Sequence, residues 1–72
     1  MIIVNMPLKR DVVKGVAEKF DEEGHKFTFI KEEGIKLFYE DVNTNEEEGA
    51  TLLKKAIKKE LGPAFFFNVE VK

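Results

Sequence analysis

The sequence predicts an α+β domain in which two helices cover one face of a four-stranded antiparallel sheet. Apolar residues alternate in some segments and recur at four-residue spacing in others, and these segments follow the order strand, helix, strand, strand, helix, strand. The chain has 72 residues, of which 43% are hydrophobic, a length and composition that suit one folded domain. We therefore expect residues 1–72 to form a single compact unit.

The first two elements are predicted from residues 2–24. Residues 2–4 are Ile-Ile-Val, a run that favours a strand. Pro7 suits the first turn of a helix, where its missing N–H is not needed. Gly24 suits the position just past the helix end. Between them, apolar residues recur as on one helical face: Leu8, Val12, Val16 and Phe20.

A β-hairpin is predicted over residues 25–40. Residues 31–34, Lys-Glu-Glu-Gly, resemble a three-residue hairpin loop closed by a glycine. The resulting register places four large side chains on one side of the sheet. It pairs Phe29 with Leu37 and Phe27 with Tyr39.

The last helix and strand complete a ferredoxin-like βαββαβ plan. Thr44 and Glu47 have the spacing of a capping box, and Gly62-Pro63 is a stop signal. Alternation over residues 65–71 predicts the final strand. This element order in about seventy residues matches the split βαβ arrangement. The expected core beneath the helices comprises Phe27, Phe29, Leu37, Tyr39, Phe65, Phe67, Val69 and Val71.

Composition excludes several classes of function. Twelve Lys and Arg against fourteen Asp and Glu give a net charge of −2, which argues against a general nucleic-acid or anionic-membrane binder. The chain has no cysteine and no serine, so thiolate metal sites and serine or cysteine nucleophiles are excluded. With one histidine left, we expect no enzymatic activity, no cofactor and no metal.

The N-terminal apolar run does not have the pattern of a targeting signal. No basic stretch precedes residues 1–4, and Asn5 and Pro7 end the run at once. We expect a soluble, cytoplasmic protein.

The leading functional hypothesis is a small non-catalytic interaction module or accessory subunit, with a homodimer as one form. The helices leave one face of the sheet open, and the predicted register places Ile30, Phe38 and Phe66 there. Such side chains can form a patch approaching ~400 Å², the size at which a protein partner is worth considering. The alternative is that they are scattered among polar residues and only stiffen the sheet.

A small-molecule or anion-binding site at the start of the first helix is the second hypothesis. Lys9, Arg10 and Lys14 gather there, and free helix N–H groups add to their attraction for a phosphate or carboxylate. A solvated basic turn, neutralised by Asp11, is the competing interpretation.

Three weaker hypotheses complete the survey. RNA-recognition motifs share this element order and stack bases on sheet aromatics, but residues 34–39 lack their aromatic-glycine consensus. Lysines between positions 54 and 59 can attract an acidic partner, although such a run is usually a solvated face. Residues 21–23, Asp-Glu-Glu, lie beside His25 and invite a metal interpretation, but nothing fixes their geometry.

Overall fold

Two helices and a four-stranded sheet make up the fold, which a computed structural model describes for residues 1–72. The strands lie in the order β2-β3-β1-β4, and every neighbouring pair is antiparallel. This arrangement confirms the predicted ferredoxin-like α+β class. No helix combines the length and apolar composition needed to cross a membrane. The elements are β1 (Ile2–Asn5), α1 (Arg10–Lys19), β2 (Phe27–Glu33), β3 (Lys36–Asp41), α2 (Glu46–Leu61) and β4 (Asn68–Val71).

The helices cover one face of the sheet, with α1 over β2 and α2 over β4. Ile2 and Val4 of β1 point toward the helices, because they lie directly opposite Tyr39 and Leu37 of β3. Ile3 therefore lies on the other side, which we call the open face. The buried core between sheet and helices comprises Ile2, Val4, Met6, Val13, Ala17, Phe20, Phe27, Leu37, Tyr39, Ala50, Leu53 and Ile57.

The predicted hairpin register is wrong by two residues on the N-terminal side of Ile30 and by three on its C-terminal side. Glu33 lies opposite Lys36, so the turn has two residues, and Gly34 takes the positive φ (+59°) that such hairpin turns require. Ile30 is the extra residue of a β-bulge, beyond which Phe29 lies opposite Tyr39 rather than Leu37. On the N-terminal side of the bulge the shift of two residues leaves Phe27 and Phe29 on their predicted face, whereas the shift of three residues beyond it moves Lys31 and Glu32 to the other face.

The first helix is shorter at both ends than predicted. It begins at Arg10, because Lys9 adopts a left-handed conformation (φ +60°), and Leu8 is left 64% exposed. It ends at Lys19, several residues before Gly24. Gly24 instead belongs to a tight turn in which Glu22 accepts a backbone hydrogen bond from His25.

The second helix begins close to the predicted position but with a different cap. The side chain of Asn45 accepts a hydrogen bond from the backbone N–H of Glu48 at 3.2 Å, so the predicted Thr44–Glu47 capping box does not form. The helix ends at Leu61, and Gly62 follows with φ +81°, as the stop signal predicts.

The last strand is shorter than its apolar alternation predicts. Asn68 lies opposite Asn5, the final residue of β1, so residues 65–67 extend past the end of their only neighbouring strand. Without a strand to bond with, they form a connector between α2 and β4. Three residues of the predicted core are less buried than expected: Phe65 lies outside the core in the connector, Val71 at the end of β4 is 38% exposed, and Phe29 on the edge strand β2 is 46% exposed.

Candidate functional site

The three residues of the predicted interaction face do not form one surface. Ile30 is the bulge residue of the edge strand β2 and is 44% exposed. Phe38 lies on the open face, where it is half-buried with the Lys31 ammonium 4.9 Å above its ring. Phe66 lies outside the sheet, in the connector. The open face therefore carries little continuous apolar surface, since Ile3 is 3% exposed and Ile30 lies at the outer edge of the sheet.

Phe66 is 88% exposed, more than any other large hydrophobic residue of the chain. It lies on the wall of an open cavity of about 540 Å³ between the connector and the last turns of α2. Gly62 and Pro63 end the helix just before it, so the chain turns back along the lysine-bearing side of α2. We call this surface the connector patch; it consists of Lys55, Lys58, Lys59, Gly62, Pro63, Phe65 and Phe66.

The connector patch is positively charged and its charges are unpaired. Lys55, Lys58 and Lys59 take part in no ion pair of the chain. They lie near the C-terminal end of α2, where the helix dipole favours cations. A nearly fully exposed aromatic ring thus stands beside three ammonium groups that are free to attract an anion.

At the predicted anion site, two of the three cations are already held by a carboxylate of β2. The Nε of Arg10 lies 2.9 Å from one oxygen of Glu32, and the Nζ of Lys14 lies 2.7 Å from the other. These contacts, the Lys14 hydrogen bond above all, hold the pKa of Glu32 below its usual range. Lys9 forms no ion pair. The bulge at Ile30 places Glu32 on the helix side of the sheet, which the predicted register could not show.

A buried polar cluster is the feature that the sequence interpretation missed. His25 is fully buried, with Nδ1 2.6 Å from Oδ2 of Asp41 and Nε2 2.8 Å from Oε1 of Glu48. The other oxygen of Asp41 accepts the backbone N–H of Asn43. Residues 21–23, suggested as metal partners of His25, form no side-chain hydrogen bond with its ring; Glu22 meets His25 only through the backbone. The sequence does contain a signal for this burial. His25 lies two and four residues before Phe27 and Phe29, and residues at this spacing along a strand point to the same side, here the core.

The geometry of this cluster determines its charge. A carboxylate only accepts hydrogen bonds, so two carboxylates on the two ring nitrogens favour the doubly protonated imidazole, which donates to both. The hydrogen bond to Glu48, followed by that to Asp41, raises the pKa of His25, while burial opposes the shift. Because His25 is shielded from solvent, the cluster joins β2, β3 and α2 rather than meeting a ligand.

Gly49 makes room for the cluster. A Cβ at this position of α2 would collide with Oδ2 of Asp41 and lie 3.0 Å from Nδ1 of His25. A glycine inside a helix otherwise lowers helix stability, so its presence here is explained by the close approach of the two polar side chains.

The connector patch and the cluster must be interpreted from their own chemistry. Compared with protein-family models, curated proteins and solved structures, the chain matches none of them.

Proposed function

We propose that this chain is a small non-catalytic interaction domain that binds an acidic, partly apolar segment of a partner protein through the connector patch. The observation that carries the proposal is the 88% exposure of Phe66 beside three unpaired lysines. A cytoplasmic location is part of the same proposal, and cell fractionation would test it.

Phe66 is the expected anchor of the interface. Burying a phenylalanine side chain contributes roughly 2 kcal/mol, and aromatic residues seated in pockets dominate many interfaces. The neighbouring cavity gives a partner side chain room to pack against the ring. An aliphatic or aromatic residue of the partner therefore occupies the centre of the contact.

The lysines define the partner's charge. Lys55, Lys58 and Lys59 surround the ring, whereas the chain as a whole carries a net charge of −2. A segment with several Asp or Glu residues is attracted to the connector patch, and the remaining acidic surface repels it elsewhere. This attraction weakens as salt is added, because the lysines are exposed.

Two alternative functions have less support. For a small-molecule or anion site at the start of α1, Arg10 and Lys14 would have to leave Glu32. For RNA binding, stacking sites normally come as several exposed aromatic rings along a basic groove. Here Lys31 lies over the ring of Phe38 and Lys14 over that of Phe29, which leaves Phe66 as the one ring that is nearly fully exposed.

The test is a selection of short random peptides displayed on phage against the wild-type protein, after which each selected peptide is measured against the wild type and against Phe66→Ser. We expect peptides in which Asp or Glu flank a Leu or Phe. Synthetic versions should bind Phe66→Ser about thirtyfold more weakly and Lys58→Glu about fivefold more weakly. Their affinity should fall between about 0.05 and 0.5 M salt.

Ile30→Ser is the matched control, because Ile30 is an exposed apolar residue on the opposite side of the sheet from the helices. It should leave peptide binding unchanged. Peptides that bind wild type and Phe66→Ser equally would contradict the proposal. So would a uridine oligonucleotide that binds more tightly than any selected peptide, since the connector patch would then be a nucleic-acid site.

A further inference from the structure

A cavity with aromatic walls lies between α1 and the edge strand β2. It shares no residue with the connector patch. It has a volume of about 340 Å³ and is lined by Lys14, Glu18, Phe27, Phe29 and Tyr39. Phe29 points toward the helices, yet it is 46% exposed, because the ten residues of α1 do not cover the whole edge strand. The cavity therefore opens to solvent beside a ring that would otherwise belong to the core.

The inner wall of the cavity carries a polar group without a partner. Tyr39 is 2% exposed, its ring meets Phe29 edge-on with centroids 5.6 Å apart, and its hydroxyl has no hydrogen-bond partner. Buried hydroxyls nearly always have one in folded proteins. Burial, with smaller effects of Glu32 and Glu18, raises the pKa of Tyr39 to about 12, so the hydroxyl remains a donor at neutral pH.

The charges around the cavity balance. Glu32 pairs with Lys14 and Arg10, and Glu18 supplies a second carboxylate at the rim. Two positive and two negative groups give this site no net charge that would favour an ion of either sign. The Lys14 ammonium also lies 5.4 Å from the centre of the Phe29 ring, where a ligand cation would otherwise sit. An uncharged occupant fits these surroundings better than an anion or a cation.

We propose that this cavity binds a small uncharged aromatic molecule carrying one oxygen that accepts a hydrogen bond from Tyr39. The ligand ring packs against Phe27 and Phe29, and the Tyr39 O–H donates to the ligand oxygen. Lys14, whose side chain is 40% exposed, is the movable wall: its alkyl chain shifts off the Phe29 ring to admit the ligand while its ammonium keeps the ion pair with Glu32. This site is independent of the connector patch and of any partner protein bound there.

The test is a titration with 4-fluorophenol, followed by its fluorine signal and by the ring resonances of Phe and Tyr. For a ligand of this size we expect a Kd on the order of 1 mM, with shifts at Phe27, Phe29 and Tyr39. Tyr39→Phe keeps the ring and removes the donor, so it should weaken binding about fivefold. Benzoate and benzylammonium, the charged analogues, should bind more weakly than 4-fluorophenol.

Ile30→Ala is the control, since Ile30 is the next residue of β2 and lies on its opposite face; binding should be unchanged. Circular dichroism of each variant verifies the fold. Three results would overturn the proposal: no shift at about 10 mM ligand, tenfold above the expected Kd; equal affinity of Tyr39→Phe; or tighter binding of a charged analogue.

Discussion

The Nδ1 atom of His25 lies 2.6 Å from Oδ2 of Asp41, and solvent reaches neither side chain. His25 precedes β2 and Asp41 ends β3, so this hydrogen bond closes the hairpin at the end opposite its Gly34 turn. Glu48 reaches the second ring nitrogen from the first turn of α2. A protonated imidazole thus links the hairpin to a helix, and the strength of that link depends on pH.

The stability of the fold should fall as pH rises above the ordinary pKa of histidine. The folded chain holds the His25 proton more tightly than the unfolded chain, so unfolding releases a proton at pH values between the two pKa values. The stabilisation that the bound His25 proton gives the fold is complete at pH values below 6.5, the pKa of His25 in the unfolded chain. It disappears as pH rises through the raised pKa of the folded chain. Urea unfolding between about pH 5 and 9 measures it.

His25→Gln is the control for this pH dependence. It lacks the titrating group, so its urea midpoint should vary less than that of the wild type above pH 6.5. Parallel curves for the two proteins would show that the His25 proton is not linked to folding.

Replacing Gly49 by alanine should destabilise the chain, although alanine favours helix. The new Cβ would collide with Asp41 and press on His25, so we expect a loss of at least about 2 kcal/mol in urea unfolding. Gly15→Ala is the matched control, because nothing lies within 4 Å of a Cβ there. It should gain about 0.5 to 1 kcal/mol. Similar gains at both positions would contradict the described packing of the cluster.

Tyr39→Phe should stabilise the protein by about 1 kcal/mol, because it removes a buried hydroxyl that has no partner and leaves the ring in place. Thermal unfolding followed by circular dichroism measures the change. A loss of similar size would instead mean that the Tyr39 hydroxyl has a hydrogen-bond partner within the folded chain.

The chain should sediment as a monomer over roughly a hundredfold range of concentration. In a symmetric dimer through the connector patch, Lys55, Lys58 and Lys59 of one copy would meet the same lysines of the other. Their repulsion opposes such a dimer most strongly at low salt. A dimer that Phe66→Ser dissociates would identify a second copy of this chain as the occupant of the connector patch.

Local patterns in the sequence are enough to predict the six elements, the face on which most side chains lie, and the end of α2. Alternation places Phe27, Leu37 and Tyr39 on the buried side, and they remain there even though the predicted register was wrong, because a shift of two residues preserves the face. Gly62 ends the second helix as predicted. These features depend on residues within a few positions of one another along the chain, so a local sequence pattern is enough to predict them.

The register, the length of β4 and the partners of the polar groups depend instead on how the elements pack together. Asn5 ends β1 and so limits β4, which leaves Phe66 exposed in the connector. The partners of His25 lie 16 and 23 positions away, and Glu32 meets Lys14 across 18. Such contacts depend on how separate elements pack against one another. Packing and hydrogen bonding across the whole core determine that arrangement, so a local sequence pattern does not predict it.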